Sequence, residues 1–126
     1  MSTLKADTIQ NTSGGAVTLT NQSAAKAWWQ MNGTGTAVVN DSLNISSLTD
    51  AGTGRFSVSF SNSMGNATYS GTGSCGRNGG SFVAGDVEMP SEDATTSSAI
   101  SFYSYNTSGV LGDAVYISGQ INGDLA

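Results

Sequence analysis

Four carboxylates cluster in the segment GDVEMPSEDA and are the first candidates for chemistry. They are Asp86, Glu88, Glu92 and Asp93. Asp86 and Glu88 would share one face of a strand, and carboxylates grouped in this way can bind Ca²⁺ or cleave a glycosidic bond. The spacing matches neither a calcium-binding loop nor a convincing pair of general acid and nucleophile. We therefore interpret residues 86–93 as an acidic, solvated loop.

The chain has few other groups that carry catalysis or bind metals. It has no histidine, which excludes Ser-His-Asp and Cys-His catalysis and the commonest ligand of transition metals. Cys75 is the single cysteine, so it forms neither an intrachain disulfide nor a zinc site; its Gly-rich surroundings predict a loop and an inert thiol. We expect a protein that is not an enzyme and has no cofactor or metal.

Tyrosines are the remaining candidates for a binding surface. In SAISFYSY, Tyr103 and Tyr105 alternate with Phe102 and so lie on the opposite face of a strand, and we expect Tyr116 beside them across a hairpin. Tyrosine rings next to Asn and Ser can stack on sugars and donate hydrogen bonds to them. Packing between subunits explains the same pattern, and both interpretations stay open.

Composition limits the classes of partner. Four basic residues against nine acidic ones give a net charge of -5, and no basic stripe is present to neutralise phosphates, so we expect no nucleic acid partner. No run of apolar residues is long enough to insert in a membrane. Charged residues make up only 10% of the chain, against about 25% in typical soluble domains. We infer that neighbouring chains cover part of the surface.

Alternation with a period of two recurs along the chain and predicts short strands. RFSVSF is the clearest case, with Phe56, Val58 and Phe60 on one face. The same pattern predicts that Leu43 and Ile45 point inward. Further inward positions are Ile100, Phe102, Val115, Ile117 and Ile121. Gly- and Asn-rich turns separate these stretches, so the predicted fold is an all-β antiparallel sandwich of about seven or eight strands.

The first 25 residues differ from the rest because they contain two short β-like pieces and no aromatic residue. A two-stranded piece is marginal on its own in water. We divide the chain into an N-terminal oligomerisation or attachment segment, residues 1–25, and a β-sandwich domain, residues 26–126. Ile9, Val17 and Leu19 are the candidate interface residues of the segment.

Two adjacent tryptophans in KAWWQM cannot share one core, since neighbours on a strand point to opposite faces. Parity assigns Ala27, Trp29 and Met31 to the core and leaves Trp28 outside. A bare indole favours association, so we expect a neighbouring chain to cover Trp28. The alternative is a monomer in which the N-terminal segment covers it.

Residues 2–64 resemble a segment of tail-fibre-like and other virion proteins from phages of marine bacteria and cyanobacteria. Four motifs occur in the same order as in that family: KADTI at 5–9, AKAW at 25–28, NGTGT at 32–36 and NISSLTDAGTG at 44–54, the last followed by RFSVSF. Their order carries the resemblance.

The resemblance implies a structural and adhesion role in a virion and a trimeric, fibre-like assembly. We expect a homotrimer, joined through the N-terminal segment and one apolar sheet face, that is made in the host bacterial cytoplasm and located in the virion. Its partners would be other tail, fibre-adaptor or capsid proteins and a glycan of the host surface. A capsid decoration or head-fibre protein is one alternative. A stand-alone carbohydrate-binding sandwich is another, and a small glycan-cleaving enzyme is a distant third.

Overall fold

The structure is a computed structural model that describes residues 12–13, 25–76, 86–89 and 95–124. Eight strands lie in these ranges. They are β1 Ala27–Asn32, β2 Val38–Leu43, β3 Ile45–Gly52, β4 Arg55–Phe60, β5 Ser70–Gly76, β6 Asp86–Glu88, β7 Ala99–Tyr105 and β8 Tyr116–Asn122. Most of the predicted segment 1–25, with Ile9, Val17 and Leu19, lies outside the described residues, so the domain boundary stays a prediction.

The strands form two four-stranded antiparallel sheets. Sheet A has the order β2-β1-β8-β5, and sheet B has the order β3-β4-β7-β6. The chain crosses between the sheets, so β2 and β3 follow each other in sequence but lie at the ends of different sheets. This arrangement confirms the predicted all-β sandwich and the predicted number of strands.

Alternation decides which side chains enter the core between the sheets. In β4, Phe56, Val58 and Phe60 are buried as predicted, and β7 buries Ile100 and Phe102. Strand β1 buries Ala27, Trp29 and Met31, in agreement with the predicted parity. These apolar side chains belong to one continuous cluster. Its burial is the main favourable contribution to folding.

Trp29 joins the two sheets. Its indole lies 5.2 Å from the ring of Phe102 between centroids, and Phe102 lies 5.8 Å from Phe56, its pairing partner in sheet B. Gly119 pairs with Trp29 on the neighbouring strand, and a β-carbon there would overlap the indole, at 2.7 Å from Cε2. Glycine at 119 therefore leaves the space that this large ring occupies on the core side of sheet A.

The predicted inward direction of Leu43 is wrong. Leu43 is 49% exposed, whereas Ile45 packs against the core. Asn44 lies between them with a φ of 58°, a left-handed conformation that asparagine tolerates better than most residues. The bend transfers the chain from sheet A to sheet B, so alternation does not continue across it.

The predicted loop around Cys75 is also wrong at that residue. Cys75 is buried in β5, pairs with Ile117 of β8, and its Sγ lies 3.6 Å from the carbonyl oxygen of Tyr105. Gly71 and Gly73 precede it on the inward side of the strand, and a β-carbon at either position would crowd core side chains. These glycines therefore serve close packing inside a strand, not a turn.

A buried hydroxyl ties two loops together at one end of the sandwich. Ser104 is completely buried, and its Oγ donates to the carbonyl oxygen of Gly112 at 2.7 Å. The backbone amide of Ser104 donates to the carbonyl oxygen of Gly54 in the β3–β4 turn. The backbone amide of Gly54 donates in turn to Asp113 Oδ1 at 2.7 Å. Gly54 has a φ of 66°, which favours glycine. These hydrogen bonds link the β3–β4 turn to the loop before β8.

We predict that Gly119→Ala destabilises the protein by about 1–3 kcal/mol, because the added methyl group overlaps the Trp29 indole. Gly76→Ala in β5 is the matched control, since no atom lies within 4 Å of a β-carbon there. We expect the control to change the free energy of unfolding by less than about 0.5 kcal/mol. Denaturant unfolding of both variants measures the difference, and equal stabilities would contradict the role given to Gly119.

Tyr69 gives a second prediction, on alkaline stability. Its hydroxyl lies 3.0 Å from the carbonyl oxygens of Thr96 and Ala99, and burial raises the pKa of Tyr69 to about 12 from 10.0. The folded state keeps the proton longer than the unfolded state, so this contribution is complete below pH 10.0 and is lost as the pH rises through about 12.

We therefore expect Tyr69→Phe to lower stability at neutral pH by about 1 kcal/mol, through the lost hydrogen bond, and to make the decline above pH 10.0 shallower. Chemical denaturation across the alkaline range measures both effects. An unchanged slope in the variant would contradict the assignment.

Candidate functional site

The outer face of sheet A carries a shallow groove of about 440 Å³. Strands β1, β8 and β5 supply it, and together they bring residues that are far apart in sequence onto one surface. Its side-chain lining is Trp28, Gln30, Thr72, Ser74, Ser118 and Gln120, and backbone of Trp29, Gly73 and Gly119 lies between them. The lining consists of indole, amide and hydroxyl groups, with no ionisable side chain.

Strand register explains how the lining forms. Trp28 pairs with Gln120, and Gln120 pairs with Thr72, so these three outward side chains form one row across the sheet. Two positions further along, Gln30, Ser118 and Ser74 form a second, parallel row. Residues between the rows point into the core, so only backbone lies between them. Two rows of side chains above a strip of backbone form the groove.

Trp28 is the one large aromatic side chain of the groove, and it is partly buried. Parity predicted that it lies opposite Trp29, and the structure confirms this direction. The exposed side chain of Leu43 pairs with Trp28 on the far side and extends the apolar end of its row. Contact of Trp28 with another chain stays a prediction.

Hydrogen bonds hold the second row in place. Asn40 Nδ2 donates to Gln30 Oε1 at 2.9 Å, which orients the Gln30 amide across the β1–β2 pair. The hydroxyls of Ser74 and Ser118 lie 3.0 Å apart and hydrogen-bond to each other. This side of the groove is therefore organised before any ligand arrives.

Polar groups of the first row have no comparable partners. Within the part of the chain that the structure describes, no hydrogen bond involves the Gln120 amide or the Thr72 hydroxyl, and both side chains are exposed. The amide offers donors and an acceptor, and the hydroxyl offers both functions on one oxygen. Beside Trp28, the groove thus presents unused donors and acceptors to a ligand.

The predicted tyrosine surface divides between the two sheets. Tyr103 and Tyr105 lie on the outer side of β7 in sheet B, with ring centroids 6.3 Å apart. Tyr116 is 49% exposed on β8 in sheet A, so the expected neighbourhood of all three rings is wrong. A hairpin between β7 and β8 was expected, but the chain crosses to the other sheet between them.

Both rings on sheet B contact charged residues. Arg55 lies 5.2 Å from the centroid of the Tyr103 ring, in cation–π contact. The Tyr105 hydroxyl donates to Glu88 Oε2 at 2.8 Å, and this hydrogen bond is the main cause that raises the pKa of Tyr105. The pair is therefore less available for stacking than Trp28. The predicted contact of Tyr103 and Tyr105 with a glycan stays a prediction.

The acidic cluster is only partly described. Asp86 and Glu88 form the ends of the short strand β6, while Glu92 and Asp93 lie outside the described residues. In the described ranges, no group of three or more His, Cys, Asp or Glu residues is placed to hold a metal ion. The described part of the cluster therefore supplies a hydrogen-bond acceptor for Tyr105 and no candidate metal centre.

Sequence reasoning missed five of the six side chains of the groove, all except Trp28. The five are ordinary polar surface residues by type, and nothing local distinguishes them: Gln30, Thr72, Ser74, Ser118 and Gln120. The available signal was parity, because Ser118 and Gln120 alternate with the inward Ile117 and Ile121. Their approach to Trp28 depends on the order of strands in sheet A.

Comparison with known proteins finds no matching family model, no matching curated protein and no matching solved structure. The resemblance of residues 2–64 to virion proteins accordingly stays a prediction. In the described ranges, no helix is long and apolar enough to cross a membrane.

Proposed function

We propose that this chain is a tail-fibre-like structural protein of a bacteriophage virion that contributes to assembly and to attachment to the host surface. The ordered motifs within residues 2–64 support the family assignment. The assembly we propose is a homotrimer, the state that the resemblance implies. The proposal includes no turnover of a substrate.

The observation that carries the assembly role is the open edge formed by β2 and β3. These strands are the end strands of sheet A and sheet B, and no described strand pairs with their outer sides. An end strand presents unpaired N–H and C=O groups, which can pair with another chain. Two such strands lie at this side of the sandwich.

Apolar side chains line the space between the two edge strands. A slot of about 280 Å³ lies there. Its lining is Ala37, Val38, Val39, Ser42, Ile45, Ser46, Ser47 and Leu48. Val38 is 50% exposed, although an edge strand is commonly protected by lysine or proline. Neither residue type occurs in β2 or β3, where the charges are those of Asp41 and Asp50.

A second copy of the chain is the occupant that we propose for this edge. Two of the four large apolar side chains that are exposed in the described ranges, Val38 and Leu43, lie on the edge strand β2. Strand pairing and apolar contact at one edge would join subunits without a rearrangement of either sheet. Several copies in one particle would then strengthen weak individual contacts with a surface.

We predict that the purified chain is a trimer of 12.7 kDa subunits in size exclusion with light scattering and that Val38→Lys lowers the measured mass. The lysine places a charge at the proposed interface and opposes edge pairing. Val110→Lys is the matched control, because Val110 is 58% exposed and lies in the loop before β8. The control should keep the trimer mass.

A wild-type chain that is monomeric at every concentration would overturn the assembly part of the proposal. Equal loss of mass in Val38→Lys and Val110→Lys would place the interface elsewhere. Circular dichroism of each variant verifies that the β-structure is intact.

The virion part has its own test. Antibodies against the chain should label purified particles of the phage whose genome encodes it. Label on the tail supports a fibre, tip or knob, whereas label on the capsid supports a decoration or head-fibre protein. Particles that lack the protein, from cells that produce it, would overturn the virion assignment.

A further inference from the structure

We propose that the groove on sheet A binds a neutral oligosaccharide, with Trp28 as the stacking platform and the Gln120 amide and Thr72 hydroxyl as hydrogen-bonding groups. The inference names the ligand class for the attachment role and rests on that proposed function.

The groups in the first row match both surfaces of a sugar ring. A pyranose has a face of C–H groups and a rim of hydroxyls, so a protein site for it combines an apolar plane with donors and acceptors. Trp28 supplies the plane. Gln120 and Thr72 follow it along the same row and supply polar atoms that no described residue engages.

The second row favours a defined orientation of the ligand. Asn40 donates a hydrogen bond to Gln30, and the hydroxyls of Ser74 and Ser118 hydrogen-bond to each other. The donors and acceptors that these side chains still offer to a ligand therefore lie at fixed positions. Little side-chain entropy is lost there when a ligand binds. A fixed row opposite a free one suits a ligand that carries many hydroxyls.

Charge favours a neutral ligand. The lining has no ionisable side chain, and the chain has a net charge of -5, which opposes anionic polymers such as nucleic acids. Lys26, which precedes β1, and Asp41, which pairs with Gln30 on β2, do not line the groove. A second copy fits this face less well than the β2–β3 edge, because five of the six side chains in the groove are polar.

Shape favours an extended chain of sugars. The volume of about 440 Å³ is within the usual range of ligand sites, roughly 300–1,000 Å³. The groove runs between two parallel rows across three strands and is shallow. An oligosaccharide can lie along it, whereas a single buried sugar would require a closed pocket.

The test titrates the full chain with neutral tetra- to hexasaccharides of glucose, galactose, mannose and N-acetylglucosamine, with alginate and heparin as anionic controls. Calorimetry gives the affinity, and tryptophan fluorescence gives the site, because Trp28 is partly exposed while Trp29 is 1% exposed. We expect at least one neutral ligand to bind and to change the emission, and we expect the anionic polymers not to bind.

Variants assign the site. Trp28→Ala should lower the affinity at least about tenfold, which corresponds to about 1.4 kcal/mol. Gln120→Ala should lower it less. Trp28→Phe keeps an aromatic plane and should retain most of the binding. If Trp28→Ala does not fold, an unchanged affinity in Gln120→Ala would overturn the assignment of the site. Tyr103→Ala removes an aromatic ring from the outer face of sheet B and is the matched control with unchanged affinity.

Three outcomes would overturn the proposal. One is the absence of binding to every neutral ligand at millimolar concentration. Another is binding that survives Trp28→Ala but not Tyr103→Ala, which would place the glycan on sheet B. The last is a fall in the oligomer mass of Trp28→Ala together with no glycan binding, which would make this face an interface between copies.

These outcomes are separate from failure of the proposed function. A chain that labels virions and forms a trimer, but binds no neutral glycan, would retain its structural role and lose only the ligand assigned to the groove. A monomeric chain that is absent from virions but binds glycans through Trp28 would instead be a stand-alone carbohydrate-binding domain.

Discussion

The packing of the Trp29 indole against Gly119 is the constraint on which the rest of the structure depends. The ring fills space that any side chain at 119 would take, and from there it contacts Phe102 across the core. This contact between two aromatic rings packs sheet A against sheet B. Because neighbours on a strand point to opposite faces, the inward direction of Trp29 requires that Trp28 points outward. One pair of tryptophans thus serves the core and the groove.

Two exposed regions of the sandwich have different chemistry. The groove on sheet A is polar around a single indole, whereas the slot at the β2–β3 edge is lined by five apolar residues and three serines, and no described strand pairs with the outer sides of β2 and β3. Polar, uncharged surfaces suit ligands with many hydroxyls, and open edges suit strand pairing. Assembly through the edge leaves the outer face of sheet A available. The proposed self-association and the proposed ligand binding therefore use different surfaces of one small domain, and each copy in the proposed assembly would add one groove.

Alternation predicted much of the fold, and its failures have local causes. It predicted the burial of Phe56, Phe102 and Trp29 because each lies within an uninterrupted strand. It failed at Leu43, where Asn44 bends the chain into the other sheet. The loop predicted at Cys75 from its Gly-rich surroundings was wrong for a different reason: the glycines of β5 resemble a turn, although core side chains occupy the space beside them. Period and residue type describe a strand but do not reveal where it changes sheet or what packs on it.

The sequence by itself determined the all-β class, the strand faces and the presence of an indole outside the core, since these depend on residue type and a period of two. Tertiary structure alone decided which outward residues meet. Gln120 and Thr72 lie beside Trp28 because β8 is between β1 and β5, and Tyr116 lies apart from Tyr105 because β7 and β8 are in different sheets. Strand order depends on contacts between distant parts of the chain, and no local pattern encodes it.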